Sequence, residues 1–326
     1  MNGYFTIVLL SFVLFFAVWG LGWLLEKLSH LLLRATRNPG SRSWYMLVGP
    51  GVALHESSHA LGCVFTRTEI VEFKPINVSI EGDQVILGYV KYRRPASAVK
   101  NAIINLAPVG VSLILLILFA YGATFFVPDR YGLGGAAIDL FWDLINIKAN
   151  PVLLADPMYP LTQIGSFVYN FLYTIGELTV LNPLFWIVAF LAMTIMFSNA
   201  PSDQDISNAS AGLKFIIVFN VIWLVVAAFL PGAGWILIGL YEILAVMFAL
   251  AVAFAAVGYG FFILVVAMTK LRSPFQIVPF LGCIATALAM TLQGVGTPAF
   301  QTIVSLGVFV LITIPMLMTP RFRTEA

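Results

Sequence analysis

Long stretches without a charged residue constrain this chain more than any other feature of its sequence. Residues Tyr4 to Leu25 carry no charge, and this run is long enough to cross a bilayer as a helix. Further apolar stretches lie at about 44–65, 98–127, 161–180, 182–197, 212–230, 232–268, 276–292 and 302–318. A chain with 60% hydrophobic and only 10% charged residues cannot cover a soluble surface of this size. We therefore expect an integral, multi-pass membrane protein, with the cell membrane as its location.

These stretches predict an all-α polytopic membrane protein with about eight transmembrane helices. The stretch 232–268 is too long for one ordinary span, and we expect it to break near Gly258-Tyr259-Gly260. Pro108 is expected to interrupt the stretch 98–127, because proline lacks the N–H group that a helix requires.

The segment 69–92 differs from the rest, because it contains charges, β-branched residues and a turn at 81–84. Ile76, Val78 and Ile80 alternate with polar residues, which predicts a small membrane-associated β-hairpin. Basic residues within 67–100 favour a cytoplasmic hairpin, whereas the basic stretch 26–44, one span away, favours the opposite orientation. Both orientations remain open. The net charge is only +2, and no basic block with interleaved aromatic residues occurs, so nucleic acid is not an expected partner.

One apolar stretch contains the sequence GVALHESSHALG, residues 51–62, and with it His55, Glu56 and His59. Histidines four residues apart lie on one face of a helix, where two imidazoles can hold one zinc ion. Glu56 lies beside them, in a position suited to activating water at the metal. Ionisable residues inside a membrane are costly, and by default they mark function. The motif therefore predicts a catalytic metal site within the membrane.

A catalytic zinc ion normally has three protein ligands. The chain has one further histidine, His30, which follows the first apolar stretch among basic residues and is expected at the membrane interface. The third ligand is therefore expected to be a carboxylate. The candidates are Asp203, Asp205, Glu177 and Glu242.

Several elements, taken in order, resemble the site-2 protease family of intramembrane zinc metalloproteases. After the His-Glu-x-x-His motif come a hairpin ending near GYV (88–90), NLAPVG (105–110) and NAPSDQD (199–205). The resemblance implies a protease core at 44–210, preceded by a first transmembrane helix and basic connector at 1–43. Residues 211–326 would then form additional C-terminal transmembrane helices. The implied activity is hydrolysis of peptide bonds in membrane-spanning or membrane-anchored substrates.

The family binds zinc through two histidines and one aspartate, with a glutamate as general base. Carried over, this implies His55 and His59 as ligands, Glu56 as base and an aspartate within 203–205. The family's usual Leu-Asp-Gly is absent, and PSDQD stands in its place. The sequence pattern Pro-Ser-x-x-Asp resembles that of divergent family members and favours Asp205 over Asp203. The same spacing from Ser202 is a helix-capping pattern, so a purely structural role for the aspartate remains open.

The hairpin gains a role from this resemblance. A protease needs an extended substrate, because a helix shields its own carbonyl groups, and a strand edge can pair with an unwound segment. We therefore expect Leu87, Gly88 and Tyr89 to bind substrate. Asn199 and Asn105 are candidates for polarising the scissile carbonyl, and each is equally suited to a helix end. The expected partners are the lipid bilayer and a membrane protein substrate with a transmembrane segment.

Two other functions remain open. A membrane zincin that trims prenylated proteins uses a downstream glutamate as third ligand, usually in a Glu-x-x-x-Asp helix, but Glu177 and Glu242 lack that aspartate. The second is a non-enzymatic metal-binding membrane transporter, in which Glu242, Asn220 and the segment 258–260 would line a path. Such a protein would not need Glu56 between the two histidines.

Overall fold

The computed structural model describes residues 2–35, 42–77, 79–81, 84–86, 88–123, 133–199, 202–230, 233, 237 and 239–323. Most of these residues are helical. The α-helices are α1 (Gly3–Ala35), α2 (Arg42–Thr66), α3 (Ala98–Ala123), α4 (Leu133–Ala149), α5 (Pro151–Ala155), α6 (Tyr159–Glu177), α7 (Pro183–Asn199), α8 (Asp203–Phe229), α9 (Leu240–Thr269), α10 (Val278–Leu292) and α11 (Pro298–Met318). Short 3₁₀ turns at Phe275–Ile277 and Pro320–Phe322 flank the last two helices.

Membrane-spanning character is clear from the lengths and compositions of the helices. Among the described residues, six helices are long and apolar enough to cross a membrane, and they lie within α1, α3, α8, α9, α11 and the segment Phe275–Leu292. A shorter apolar helix is formed by α7. The chain is therefore a helical, multi-pass membrane protein, as predicted, while the predicted count of eight spans is not confirmed.

The predicted hairpin is confirmed, and it has two short ladders. At its base, β1 (Ile70–Lys74) pairs antiparallel with β4 (Tyr89–Tyr92), with a register shift between Ile70 and Glu72. At its tip, β2 (Ser79–Glu81) pairs antiparallel with β3 (Gln84–Ile86). The hairpin therefore lies between the end of α2 and the start of α3.

Two predicted interruptions are wrong. Helix α9 continues through Gly258, because this glycine serves close packing and keeps its helical backbone: a Cβ there would lie 3.1 Å from the Met193 backbone nitrogen of α7. Helix α3 continues through Pro108, since the loss of one backbone hydrogen bond is tolerated within a packed membrane helix. The predicted boundary between residues 210 and 211 falls within α8, which is unbroken.

Helix α2, which carries the motif, packs between α3 and α7, and α3 packs in turn against α8. The α2–α3 backbones approach closely at Gly62, where a Cβ would lie only 3.0 Å from the Ile104 Cα atom. The motif face of α2 therefore lies within reach of backbone groups from both neighbours.

Candidate metal centre

The two motif histidines are buried and face each other. His55 and His59 lie one turn apart on α2, and their Nε2 atoms are 3.0 Å apart. The Nδ1–H group of His55 donates a hydrogen bond to the Ser198 carbonyl of α7 at 2.8 Å. The Nδ1–H group of His59 donates to the Ile104 carbonyl of α3 at 2.9 Å. Each ring is thus oriented by a backbone carbonyl from a neighbouring helix.

These two hydrogen bonds determine which nitrogen of each ring carries the proton. A carbonyl oxygen only accepts, so the proton lies on Nδ1 and the Nε2 atom of a neutral ring carries a lone pair. In a pair of neutral rings, two lone pairs only 3.0 Å apart repel each other unless a cation binds both. Histidines that bind metal ions commonly donate their other N–H to a carbonyl in this way.

Asp205 brings a carboxylate to the same place. Its Oδ1 atom lies 3.2 Å from the His59 Nε2 atom, and its Oδ2 atom lies 3.3 Å from the His55 Nε2 atom. The residue is buried, with 8% of its surface exposed. Among the residues that the structure describes, His55, His59 and Asp205 form a buried group whose ligand atoms lie within 4.8 Å of one another and can hold a metal ion.

The capping pattern expected at Ser202 is also present. The Asp205 backbone N–H donates to Ser202 Oγ at 3.1 Å, while Asp205 Oδ2 accepts from the backbone N–H and the hydroxyl of Ser202 at 2.9 and 2.7 Å. The cap and the metal group are therefore not alternatives, because one carboxylate takes part in both. The cap fixes the first turn of α8 and with it the direction of the carboxylate.

The residues present fit a metal ion on chemical grounds. Two neutral imidazoles and one carboxylate are a donor set that zinc and related divalent ions accept. Burying a carboxylate beside two nitrogen lone pairs is costly without a positive charge. The carbonyls of Ser198 and Ile104 supply the orienting contacts that such ligands require.

Glu56 lies beside this group and is not one of its three members. Its carboxylate is half-buried and interacts electrostatically with His55, His59 and Asp205, and also with the backbone N–H of Val90 in β4. Gly88, directly before β4, lies against the Glu56 side chain. A Cβ at Gly88 would be 3.1 Å from the Glu56 Cγ atom and 2.7 Å from the Pro75 carbonyl oxygen. The base of the hairpin therefore packs onto the motif glutamate, and only glycine permits this approach.

The other predicted substrate residues lie in different surroundings. Leu87 lies outside the described residues. The Tyr89 hydroxyl donates to the Glu72 carboxylate at 2.7 Å, on the charged face of the hairpin. Asn199 is 2% exposed and follows Ser198 directly, and its Oδ1 atom has no hydrogen-bond partner among the described residues. Asn105 is also buried, and its amide is engaged in hydrogen bonds to α3, α8 and β4.

The two glutamate candidates, which the structure describes, do not join the metal group. Glu177 is exposed and lines a cleft between α4 and α6. Glu242 is fully buried and forms an ion pair with Lys148 of α4. The Asp203 and His30 side chains lie outside the described part of the chain. Of the carboxylate candidates that are described, Asp205 is the one beside the histidines.

The orienting carbonyls of Ser198 and Ile104 were missed by sequence reasoning, because a backbone group has no residue signature. The only available signal was indirect: each precedes an asparagine, Asn199 or Asn105, in a largely apolar helix. Asn101 of α3 and Asn208 of α8 were missed as well.

The charged face of the hairpin lies outside the spans and has its own electrostatics. Hydrogen bonds from Lys74, Tyr89 and Lys91 lower the pKa of the Glu72 carboxyl to about 2. The same carboxylate raises the pKa values of Lys74 and Lys91. These contacts join β1 to β4 across the base of the hairpin.

Comparisons of the chain with family models, with curated proteins and with solved structures found no match. The likeness to the site-2 protease family therefore rests on the motifs themselves and on no wider similarity.

Proposed function

We propose that this chain is an intramembrane zinc metalloprotease that hydrolyses peptide bonds of membrane-spanning or membrane-anchored substrates. One observation carries the proposal: His55, His59 and Asp205 meet in one buried group, while Glu56 lies beside that group and touches the hairpin. The first three would hold the ion, through the Nε2 atoms and the carboxylate. A bound zinc ion supplies Lewis acidity, toward water and toward a peptide carbonyl.

Glu56 is the proposed general base and acid. In this role its carboxylate accepts a proton from the attacking water, whose oxygen bonds to the scissile carbonyl carbon. The same group returns the proton to the leaving nitrogen as the C–N bond breaks. The close packing of Gly88 holds the Glu56 side chain at the hairpin base. No covalent intermediate is required.

The hairpin is the proposed substrate platform. One edge of β4 pairs with β1, and no other described strand pairs with its second edge. An unwound substrate segment that pairs with β4 would pass close to Glu56, because Gly88 and Val90 lie against that side chain. Asn199, whose Oδ1 atom accepts no hydrogen bond from the part of the chain that the structure describes, is a candidate for contact with a substrate N–H group.

Water must reach such a site from a membrane surface. Helix α2 ends at Thr66, so His59 lies roughly 10 Å from that end at 1.5 Å per residue. Asp205 lies in the first turn of α8. The metal group is thus about two turns from the surface where the hairpin emerges, which supports hydrolysis near this surface.

The two alternative functions receive less support. A prenyl-protein-type zincin would need a glutamate ligand, and Glu177 and Glu242 both lie apart from the histidines. A transport path along Glu242 and Asn220 finds no support either, since Glu242 is ion-paired in the packed core and Asn220 bonds to its own helix at the Ile216 carbonyl.

The test combines zinc content with cleavage of a single-span model substrate in liposomes. We expect Glu56→Gln to keep zinc and to lose about 100- to 10,000-fold in cleavage rate. The control Glu69→Gln changes an exposed glutamate of the same hairpin region and should keep both. Cleavage by Glu56→Gln at the wild-type rate would contradict the proposed function.

A further inference from the structure

Asparagine side chains join helices α3 and α8 next to the metal group. Asn101 and Asn105 lie one turn apart on α3, and both are 4% exposed. The Asn101 Nδ2 group donates to the Asn208 backbone carbonyl of α8 at 2.6 Å. In return, the Asn208 Nδ2 group donates to Asn105 Oδ1 at 3.4 Å. The two helices are thus tied by amides in both directions.

The end of the hairpin is joined to the same amides. The hydroxyl of Tyr92, the last residue of β4, donates to Asn101 Oδ1 at 3.2 Å and accepts from Asn105 Nδ2 at 2.9 Å. Asn105 Nδ2 also donates to the Asn101 carbonyl at 2.7 Å. One hydroxyl and three amides therefore connect β4, α3 and α8.

The network lies beside Asp205 and beside the carbonyl that orients His59. Asp205 lies one turn before Asn208 on α8, and Ile104, whose carbonyl orients His59, directly precedes Asn105. The helices also touch closely one turn further along α8. There, a Cβ on Gly212 would lie 2.1 Å from the Ala102 Cβ atom, so only glycine allows this spacing.

The asparagines between α3 and α8 call for an explanation, because these are largely apolar helices. Buried amides are costly unless they are fully hydrogen-bonded, and a connected network is correspondingly rigid. The Asn220 side chain of α8, by contrast, bonds within its own helix, at the Ile216 carbonyl, among the residues that the structure describes. The network amides instead link separate elements, which suits a positioning role.

We propose that Asn101, Asn105, Asn208 and Tyr92 form a positioning network that couples substrate pairing at β4 to the placement of Asp205. The coupling rests on the proposed function, because it assigns the substrate to β4. The network has two separable parts. The amides between α3 and α8 set the metal affinity of the free protein, and the Tyr92 hydroxyl transmits a change in β4 to those amides.

The first part is tested by Asn208→Ala, with Asn220→Ala as a matched asparagine on the same helix. Metal-stripped protein in detergent is titrated with Co²⁺, whose visible absorption reports ligand number and geometry. We expect Asn208→Ala to bind Co²⁺ about 10- to 100-fold more weakly and with an altered spectrum, as for lost orienting contacts elsewhere. Asn220→Ala should match the wild type. Wild-type affinity and spectrum in Asn208→Ala would overturn the positioning role.

The second part is tested by Tyr92→Phe, a mild change that removes one hydroxyl, with the exposed Tyr169→Phe of α6 as control. We expect Tyr92→Phe to bind Co²⁺ as the wild type does, yet to lose about tenfold in kcat with little change in KM. In the Glu56→Gln background, a single-span model peptide should shift the Co²⁺ spectrum, and Tyr92→Phe should abolish that shift. A retained shift and a wild-type kcat would overturn the coupling.

The results also distinguish this proposal from the proposed function. If the wild type binds Co²⁺ and cleaves its substrate while all network variants behave like it, only the network proposal fails. If the wild type binds no Co²⁺, the proposed function fails, and the network proposal fails with it.

Discussion

Asp205 caps α8 and is the proposed carboxylate ligand, and two substitutions can separate these roles. Its carboxylate has two oxygen atoms: both lie within 3.3 Å of a histidine Nε2 atom, and Oδ2 also accepts two hydrogen bonds from Ser202. An amide has only one oxygen. In Asp205→Asn that oxygen can face Ser202 or the metal position, but it cannot replace both carboxylate oxygens, and the negative charge is lost in either case.

The expected magnitudes differ for the two roles. Loss of an orienting contact typically costs 10- to 100-fold in metal affinity, so loss of a ligand should exceed about 100-fold, or about 2.7 kcal/mol. Ser202→Ala removes the cap acceptor for the Asp205 N–H and the hydroxyl that donates to Asp205 Oδ2, but it keeps the carboxylate and its hydrogen bond from the backbone N–H of residue 202. This variant should lose about 1 kcal/mol in the free energy of unfolding, and its metal affinity should fall less than about tenfold.

Both variants are measured by zinc competition titration and by thermal unfolding of the metal-free protein in detergent. The control Asp139→Asn changes an exposed aspartate of α4 and should leave both quantities unchanged. Two results would refute the reasoning. One is wild-type zinc affinity in Asp205→Asn, and the other is an equal loss of zinc in Ser202→Ala.

Three further predictions concern other parts of the molecule. Glu242→Gln leaves the buried Lys148 charge without its ion-pair partner and should cost about 3–5 kcal/mol in the free energy of unfolding. The double variant Lys148→Met with Glu242→Leu should instead unfold near the wild-type temperature. Thermal unfolding in detergent measures both. The pKa of Glu72 is depressed, so its stabilising contacts are complete above about pH 4.5 and are lost as the pH falls toward 2. As the pH falls through that range, pepsin should therefore cut the hairpin of the wild type faster. Glu72→Gln shows the change that comes from pepsin activity itself, and the wild type should exceed that change. An equal response in both proteins would contradict this. Gly88→Ala should reduce cleavage at least about tenfold with zinc retained, because its Cβ would push the hairpin from the motif glutamate, whereas Gly135→Ala has open space and should be silent.

Sequence reasoning reached the parts of this protein that depend on local pattern. The spacing of His55 and His59 predicts their shared helix face, and the alternation within 69–92 predicts the hairpin, since both follow from the geometry of a single element. The sequence pattern Pro-Ser-x-x-Asp favours Asp205 over Asp203, and in the structure Asp205 lies beside the histidines. Whether a helix breaks is decided by packing, which explains the wrong prediction at Gly258.

Contacts between elements could not be read in the same way. The carbonyls of Ser198 and Ile104 orient the histidines through backbone atoms, which every residue possesses. The approach of Gly88 to Glu56 depends on how the hairpin folds back over α2. Such pairings are set by tertiary packing of helices distant in sequence, and no local periodicity encodes them.

The most direct test of the central claim is zinc-dependent cleavage at a measured zinc content. Wild type and Glu56→Gln are reconstituted with a single-span model substrate, stripped of metal and then titrated with Zn²⁺ while bound zinc is determined by mass spectrometry. We expect about one zinc per chain in both proteins, and cleavage that rises with bound zinc in the wild type alone. Zinc binding that persists in a variant carrying both His55→Ala and His59→Ala, or cleavage that does not depend on bound zinc, would contradict it.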